Sequence, residues 1–202
     1  MEEYCISDNY FKNLQLLSAN GRESNIYLVP NTYSIPICIK KYNSSFWFAC
    51  SNDEVLNKVF LLYQRLKNTK NVSPCIVFYD VNEYTKGNKK LIAIGIPFLQ
   101  GYISIDNVND VSNKFICIKN LITLLMDFVS LGIYPTDLNS SNIMVSPDFN
   151  IQLIDLDGNH CKVDPKNASS YYKQIFNSMQ YRILRDLMLN DDEYNAAFKH
   201  TH

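Results

Sequence analysis

Apolar residues recur along the chain with two different periods, which predict strands and helices in the same fold. Short apolar runs of strand length occur at 26–29, 37–40, 91–96, 143–145 and 151–154. Apolar residues at helical spacing predict longer segments at 51–66, 115–131 and 169–189. The expected fold class is therefore α+β.

Two of these helices have recognisable ends. Ser51 is a typical N-cap residue, and Asp53 and Glu54 place carboxylates in the first turn, where the positive end of the helix dipole favours them. Gly132 is a typical stop for the second helix. Each helix carries one apolar stripe, formed by Val55, Leu56, Val59, Phe60, Tyr63 and Leu66 in the first and by Ile118, Leu121, Ile122, Leu125, Met126 and Val129 in the second.

A hairpin is predicted in the second half of the chain, with a polar residue at each side of its open end. The strands at 143–145 and 151–154 flank a Ser-Pro-Asp turn at 146–148. Such a hairpin folds Asp155 back towards Asn142, so that the two side chains can share one cation.

Asp137 precedes this hairpin at an informative spacing. Four residues separate Asp137 from Asn142, and twelve separate Asn142 from Asp155. In phosphoryl transfer one carboxylate orients the acceptor hydroxyl, while another carboxylate and an amide oxygen hold Mg²⁺ on the phosphates. We therefore predict Asp137 as a catalytic residue and Asn142 and Asp155 as Mg²⁺ ligands. The alternative is a chance spacing of surface residues in an Asn-rich chain.

Lys40 is the candidate phosphate ligand in the first half of the chain. It ends the strand-like run 37–40, which resembles the strand whose lysine contacts the α- and β-phosphates of ATP, with Cys38 facing the nucleotide. Lys41 leaves the register open, and a solvated edge charge is the alternative. Glu54 is the expected catalytic ion-pair partner of Lys40, although acids in the first turn of a helix are also common on surfaces.

Two further segments are candidates for binding the nucleotide. Gly21 and Ser24 lie in a turn before a predicted strand, where backbone N–H groups and the Ser24 hydroxyl could cradle phosphate; a plain hairpin is the alternative. Pro97 and Leu99 follow the strand at 91–96. The Pro97 carbonyl can accept from the adenine amino group, and the Leu99 N–H can donate to the ring. A strand ended by proline is the alternative.

The chain resembles the protein-kinase superfamily in the order of five candidate residues, which are Lys40, Glu54, Asp137, Asn142 and Asp155. The segments 39–42 and 137–144 look like the minimal kinases, of the OspG and NleH type, that some bacteria inject into host cells. The resemblance implies a protein-kinase-like two-lobe fold with a truncated C-lobe, because few residues follow Gly158.

The same resemblance implies the domain organisation. We expect one minimal kinase domain over 1–202, with an N-lobe at about 1–96. A hinge is expected near 97–101, and a shortened C-lobe at about 102–202.

Three departures from the family pattern affect the expected chemistry. Pro135 and Thr136 stand in place of His-Arg, which leaves no cation to receive a phosphate on an activation loop. Asn139 stands where these kinases carry a lysine aimed at the transferred phosphate, so a low intrinsic rate is expected. Asp157 replaces the glycine of Asp-Phe-Gly and is either an additional Mg²⁺ ligand or a turn acid before Gly158.

Composition argues against several other functions. A net charge of −1 provides no basic face for nucleic acid. No apolar run reaches membrane-spanning length, and Met-Glu-Glu is the wrong charge for the start of a secretory signal. The six cysteines lack Cys-x-x-Cys spacing and are expected as free thiols in the cytosol. The histidines have no metal-ligand partners at suitable spacing; they are His160, His200 and His202.

The resemblance also implies a function. It points to an ATP- and Mg²⁺-dependent serine/threonine protein kinase, secreted as a bacterial virulence effector into the host cytosol. It implies a host protein substrate and activation by a host partner such as ubiquitin or a ubiquitin-conjugating enzyme. Two alternatives stay open: a catalytically weak, kinase-like binding module that recruits a host complex, and a small-molecule kinase.

Overall fold

A computed structural model describes residues 1–18, 23–29, 35–157 and 161–163, together with the isolated positions Ser170, Lys173 and Asp192. The chain divides into two units, Met1–Leu99 and Gln100–His202. Strands and helices occur together in the described residues, so the fold is α+β, as the sequence predicts.

The first unit contains a six-stranded sheet. Its strands are β1 (Glu2–Ile6), β2 (Gln15–Ser18), β3 (Ser24–Val29), β4 (Ile37–Tyr42), β5 (Ile76–Asp80) and β6 (Leu91–Pro97). They lie in the order β1-β5-β6-β4-β3-β2. The pair β1–β5 is parallel, and every other neighbouring pair is antiparallel. The strands predicted at 26–29, 37–40 and 91–96 correspond to β3, β4 and β6.

Apolar side chains cover both faces of this sheet, because successive residues of a strand point to opposite sides. One face is covered by a helix and buries Tyr42, Phe46, Val55, Val59, Val77, Tyr79, Leu91 and Ile94. On the opposite face lies a second buried cluster, which includes the ring of Phe11 from a short 3-10 helix at Asp8–Asn13 and is completed by Val29, Ile37, Ile39, Ile76, Phe78 and Ala93.

The helices of the first unit are α1 (Ser44–Ala49), α2 (Asn52–Leu66) and α3 (Val81–Tyr84). The predicted helix at 51–66 is therefore confirmed as α2, and Ser51 is its N-cap. Its buried stripe consists of Val55, Val59, Leu62 and Leu66 at helical spacing. Burying each of these side chains contributes about 1.5 to 3 kcal/mol to stability, which fixes α2 on the sheet.

Asn52 attaches the beginning of α2 to the beginning of β6. Its side-chain amide donates to the Lys89 carbonyl at 2.9 Å, and its oxygen accepts from the Leu91 N–H at 2.8 Å. Leu91 is fully buried. The Asn52 side chain thus continues the hydrogen bonding of the sheet and sets where α2 begins.

We predict that Asn52→Ala lowers the free energy of unfolding by about 1 to 3 kcal/mol, because a buried donor at Leu91 loses its partner. Urea denaturation followed by circular dichroism measures the change. The control is Asn57→Ala, at an exposed position of the same helix, where we expect a change within about 0.5 kcal/mol. Equal stabilities of the two variants would contradict the assignment.

In its described residues, the second unit contains one long helix and two small sheets. Its elements are β7 (Ile103–Ser104), α4 (Val111–Ser130), β8 (Ile133–Pro135), β9 (Ile143–Val145), β10 (Ile151–Leu153) and β11 (Cys161–Val163). One sheet has the order β10-β9-β7, the other pairs β11 with β8, and all of these pairs are antiparallel. The predicted hairpin is confirmed as β9–β10.

The helix predicted at 115–131 is confirmed and begins four residues earlier, at Val111. Asp110 caps it by accepting from the Asn113 N–H at 2.9 Å, and Gly132 follows its end with a φ of 66°. The predicted stripe was wrong at Met126, which is 43% exposed. The buried residues are Cys117, Ile118, Leu121, Ile122, Leu125 and Phe128.

One sequence prediction lies largely outside the described residues, and another concerns membrane-spanning segments. The helix predicted at 169–189 falls almost entirely on these residues. Within the described residues, none of the helices combines the length and the apolarity that a membrane-spanning segment needs.

Candidate functional site

The segment 136–142 between β8 and β9, which we call the Asp137 loop, is held by the side chain of Asn142. The Asn142 Nδ2 group donates to the Asp137 carbonyl oxygen at 3.1 Å. Because the amide nitrogen makes this bond, the Asn142 Oδ1 atom lies on the other side of the side chain, where it can act as a cation ligand. The loop therefore brings together the predicted catalytic acid and one predicted Mg²⁺ ligand.

Asn139 connects both ends of the same loop. Its Nδ2 group donates to the Asp137 Oδ2 atom at 3.1 Å. Its Oδ1 atom accepts from the Asn142 backbone N–H at 3.2 Å and from the Ser141 hydroxyl. From the sequence, Asn139 was noted only because it stands where the related kinases carry a lysine. Asparagine is a favoured N-cap residue, and its position three residues before Asn142 is the signal that could have predicted the hydrogen bond from the Asn142 N–H.

Ser104 and Ser140 attach the Asp137 loop to β7. The Ser104 hydroxyl donates to the Ser140 carbonyl at 2.7 Å, and the Ser140 hydroxyl donates to the Asp106 carboxylate at 3.3 Å. Leu138 is buried beneath the loop, with 2% of its surface exposed. A buried apolar residue and these hydrogen bonds together fix the backbone that carries Asp137.

The β9–β10 hairpin brings Asp155 to the Asp137 loop, as the sequence predicts. Leu153 lies opposite Ile143 in the ladder. One residue further on, the Ile154 N–H donates to the Asn142 carbonyl at 3.0 Å. The chain at Asp155 is therefore held next to Asn142, which places the two predicted Mg²⁺ ligands at the same end of the hairpin.

Asp155 has a left-handed backbone conformation, with a φ of 61°. This conformation costs a residue other than glycine about 1 to 2 kcal/mol, although aspartate tolerates it better than most. Strained residues of this kind cluster at functional sites, where the surrounding structure holds them in place. Leu156, the next residue, is buried and provides such an anchor.

Asp157 is buried, with only 2% of its surface exposed. A carboxylate at this depth needs hydrogen bonds or an opposite charge. Asp157 is therefore not a solvated surface acid, and the alternative of a turn acid before Gly158 stays open. Its role as an additional Mg²⁺ ligand stays a prediction.

Among the described residues, no three His, Cys, Asp or Glu side chains cluster closely enough to hold a metal on their own. Mg²⁺ does not need such a cluster, since it is usually bound by one or two carboxylates together with substrate phosphates and water. The Asp155 carboxylate and the Asn142 amide oxygen are hard oxygen donors that fit this requirement.

Lys40 and Lys41 lie on opposite faces of the sheet, because they are successive residues of β4. Lys41 Nζ pairs with Asp8 Oδ1 at 2.7 Å and lies 4.6 Å from the centre of the Phe11 ring. Lys40 is on the face covered by α2. It is 7% exposed, and its Nζ atom lies 5.8 Å from the centre of the Tyr42 ring. Lys40 is therefore not a solvated edge charge.

Glu54 has a structural role at the beginning of α2. Its backbone N–H donates to the Ser51 hydroxyl at 3.3 Å, and its carboxylate accepts from the Ser51 N–H at 3.4 Å, which completes a capping box. Glu54 is exposed. This hydrogen bond uses one carboxylate oxygen of Glu54, and the pairing of Glu54 with Lys40 stays a prediction.

The remaining candidates for nucleotide binding differ in how far the structure describes them. Gly21 falls outside the described residues. Ser24 is buried at the start of β3, opposite Tyr42 in the ladder. The Phe98 N–H donates to the Pro36 carbonyl at 2.9 Å. Because ladder groups alternate, this bond directs the Pro97 carbonyl away from β4.

The Pro97 carbonyl is therefore not used in the pairing of β6 with β4. Leu99 is the last residue of the first unit. The division between the units therefore falls within the predicted hinge at 97–101. The contacts of both residues with adenine stay predictions.

No protein-family model matches this sequence, and no curated protein matches it either. The function must therefore be argued from the geometry of the chain itself.

Cys38 lies on the same face of β4 as Lys40, two residues before it. Burial raises the pKa of the Cys38 thiol to about 11, and it has the same effect on Cys75 and Cys117. The reactive thiolate is therefore scarce at neutral pH, which favours a packing role for Cys38 over a role as a reactive thiol.

We predict that iodoacetamide modifies Cys38 much more slowly than the exposed Cys5 at about pH 8, because the raised pKa leaves Cys38 as the neutral thiol. As the pH rises towards about 11, the thiolate fraction and hence the rate at Cys38 should increase. Peptide mass spectrometry measures both rates. Equal modification of the two cysteines at the lower pH would refute this prediction.

Proposed function

We propose that the protein is an ATP- and Mg²⁺-dependent protein kinase that phosphorylates serine or threonine hydroxyls. In this proposal Asp137 positions the acceptor hydroxyl, Asn142 and Asp155 hold Mg²⁺ on the phosphates, and Lys40 contacts the α- and β-phosphates. The observation that carries it is the arrangement of Asp137, Asn142 and Asp155 at one end of the β9–β10 hairpin.

This arrangement supports phosphoryl transfer because the reaction depends mainly on positioning and on charge neutralisation. The Asp137 carboxylate has a fixed orientation, since Asn139 donates to one of its oxygens. The amide oxygen of Asn142 and the carboxylate of Asp155 supply ligands that Mg²⁺ prefers. The ion, when bound with ATP, would neutralise charge on the phosphates. The protein groups need little rearrangement to receive it.

The first unit supports the same proposal independently. Lys40 lies on β4, the third strand of the antiparallel run β2, β3 and β4, and a protein kinase carries its phosphate-binding lysine on the third strand. Helix α2 follows in sequence and packs on the face that carries Lys40. Lys40 is only 7% exposed, and a lysine at this depth is rare unless it is paired.

The kinase-like two-lobe fold, the substrate class and the regulation belong to this proposal as well. The resemblance to minimal effector kinases favours a protein acceptor in a host cell and a host partner such as ubiquitin. Asn139 cannot supply the positive charge of a lysine near the transferred phosphate. We therefore expect slow transfer in the isolated chain and faster transfer with its partner.

We predict that Asp137→Ala lowers phosphate transfer from ATP by roughly 10² to 10⁴, because the acceptor hydroxyl loses its base. Binding of Mg²⁺·ATP should be retained, since the ligands at Asn142 and Asp155 are unchanged. Transfer of radiolabelled phosphate to casein, with ubiquitin added, measures the rate. A thermal shift with Mg²⁺·ATP measures binding.

The matched control is Asp148→Ala, at an exposed position in the turn of the same hairpin, which should transfer at the wild-type rate. Full transfer by Asp137→Ala would contradict the proposed role. Nucleotide binding by the wild-type chain without any transfer would favour the binding-module alternative instead.

A further inference from the structure

We propose that Asn139 is a positioning residue for Asp137, a role that rests on the proposed kinase function. The side chain uses both ends of its amide within the Asp137 loop. One end orients the carboxylate that receives the acceptor hydroxyl, and the other end fixes the backbone of the predicted metal ligand Asn142.

The donor end of Asn139 acts on the carboxylate itself. Its Nδ2 group lies 3.1 Å from the Asp137 Oδ2 atom. Hydrogen bonds to charged groups are worth about 1.5 to 3 kcal/mol, which is enough to select one rotamer of a short side chain. The second Asp137 oxygen is then held in a defined direction, which a base needs in order to meet a hydroxyl at hydrogen-bond distance.

The acceptor end of Asn139 acts on the turn that follows. Its Oδ1 atom accepts from the Asn142 N–H at 3.2 Å, so Asn139 is the N-cap of the 3-10 turn Ser140–Asn142. The Asn142 side chain returns a bond to the Asp137 carbonyl at 3.1 Å. The three residues thus form a closed set of hydrogen bonds within six positions of the chain.

Only an asparagine can make both contacts at this position. Serine can accept from the Asn142 N–H as an N-cap, but its hydroxyl lies on a side chain one atom shorter than the amide. Aspartate can accept from the Asn142 N–H but cannot donate to the Asp137 carboxylate, and alanine can make neither hydrogen bond. The residue that replaces the family lysine therefore holds the catalytic carboxylate, and it does so without contacting the phosphate.

The test compares Asn139→Ser, Asp137→Ala and the double variant with the wild-type chain. Single-turnover transfer of radiolabelled phosphate from ATP to casein, with ubiquitin added, gives the rate. Mg²⁺·ATP affinity is measured separately with a fluorescent nucleotide. A thermal melt tests folding, and we expect Asn139→Ser to melt cooperatively at a temperature lowered by about 3 to 12 °C, because serine keeps the cap and loses only the hydrogen bond to Asp137.

We expect Asn139→Ser to lower the transfer rate at least about tenfold, while the affinity for Mg²⁺·ATP stays within about twofold of the wild type. In the Asp137→Ala background the same substitution should have no further effect, because Asn139 acts through the Asp137 carboxylate. Asn150→Ser, in the turn at the opposite end of the hairpin, is the control and should keep the wild-type rate.

The outcomes separate the two proposals. A wild-type rate in Asn139→Ser, or an equal rate loss in the presence and absence of Asp137, overturns the positioning role and leaves the kinase proposal standing. A wild-type chain that neither binds Mg²⁺·ATP nor transfers phosphate overturns the kinase proposal and the positioning role with it. If Asn139→Ser does not melt cooperatively, Asn139→Asp replaces it, since it keeps the acceptor end and the shape of the side chain, and the same rate comparison applies.

Discussion

Two hydrogen bonds at Asn142 determine the geometry of the candidate site. Its backbone carbonyl accepts from the Ile154 N–H and closes the open end of the β9–β10 hairpin, while its side-chain amide donates to the Asp137 carbonyl. The first bond holds Asp155 beside the loop, and the second holds the loop that carries Asp137. Neither bond uses the Asn142 amide oxygen, which leaves that atom for a cation. The loss of either bond would remove one of the contacts that keep the three polar groups at one end of the hairpin.

The left-handed backbone of Asp155 is held by contacts of the residues on either side of it. A left-handed aspartate costs about 1 to 2 kcal/mol, and the strain persists only where neighbouring contacts determine the conformation. Pairing of β10 with β9 precedes Asp155, and the buried side chain of Leu156 follows it. These contacts fix the backbone that carries Asp155. Preorganised dipoles and charges are the largest contribution to many catalysed reactions, because no reorganisation is needed when charge develops.

The sequence predicted features that depend on local pattern and missed those that depend on distant contacts. The hairpin, α2, α4 and the helix stop at Gly132 follow from apolar periodicity and from end signals. The parallel strand β1 begins with two glutamates and has no alternation of apolar and polar residues, and it pairs with the edge of β5. Lys40 could be distinguished from Lys41 only once Asp8, from a distant segment, was seen to pair with Lys41. The pattern Ser-x-x-Glu at 51–54 indicates the capping role of Glu54. Its carboxylate was instead expected to pair with Lys40.

The proposed metal site at Asn142 and Asp155 is tested most directly by locating where a paramagnetic metal nucleotide binds. Mn²⁺ replaces Mg²⁺ in ATP complexes, and it broadens the NMR signals of nearby amides when Mn²⁺·ATP is titrated into isotope-labelled protein. We expect the amide signals of Asn142 and Asp155 to disappear first, while the signal of Asn150, at the far end of the same hairpin, persists. Broadening that spares Asn142 and Asp155, or that affects Asn150 equally, would contradict the proposed metal site.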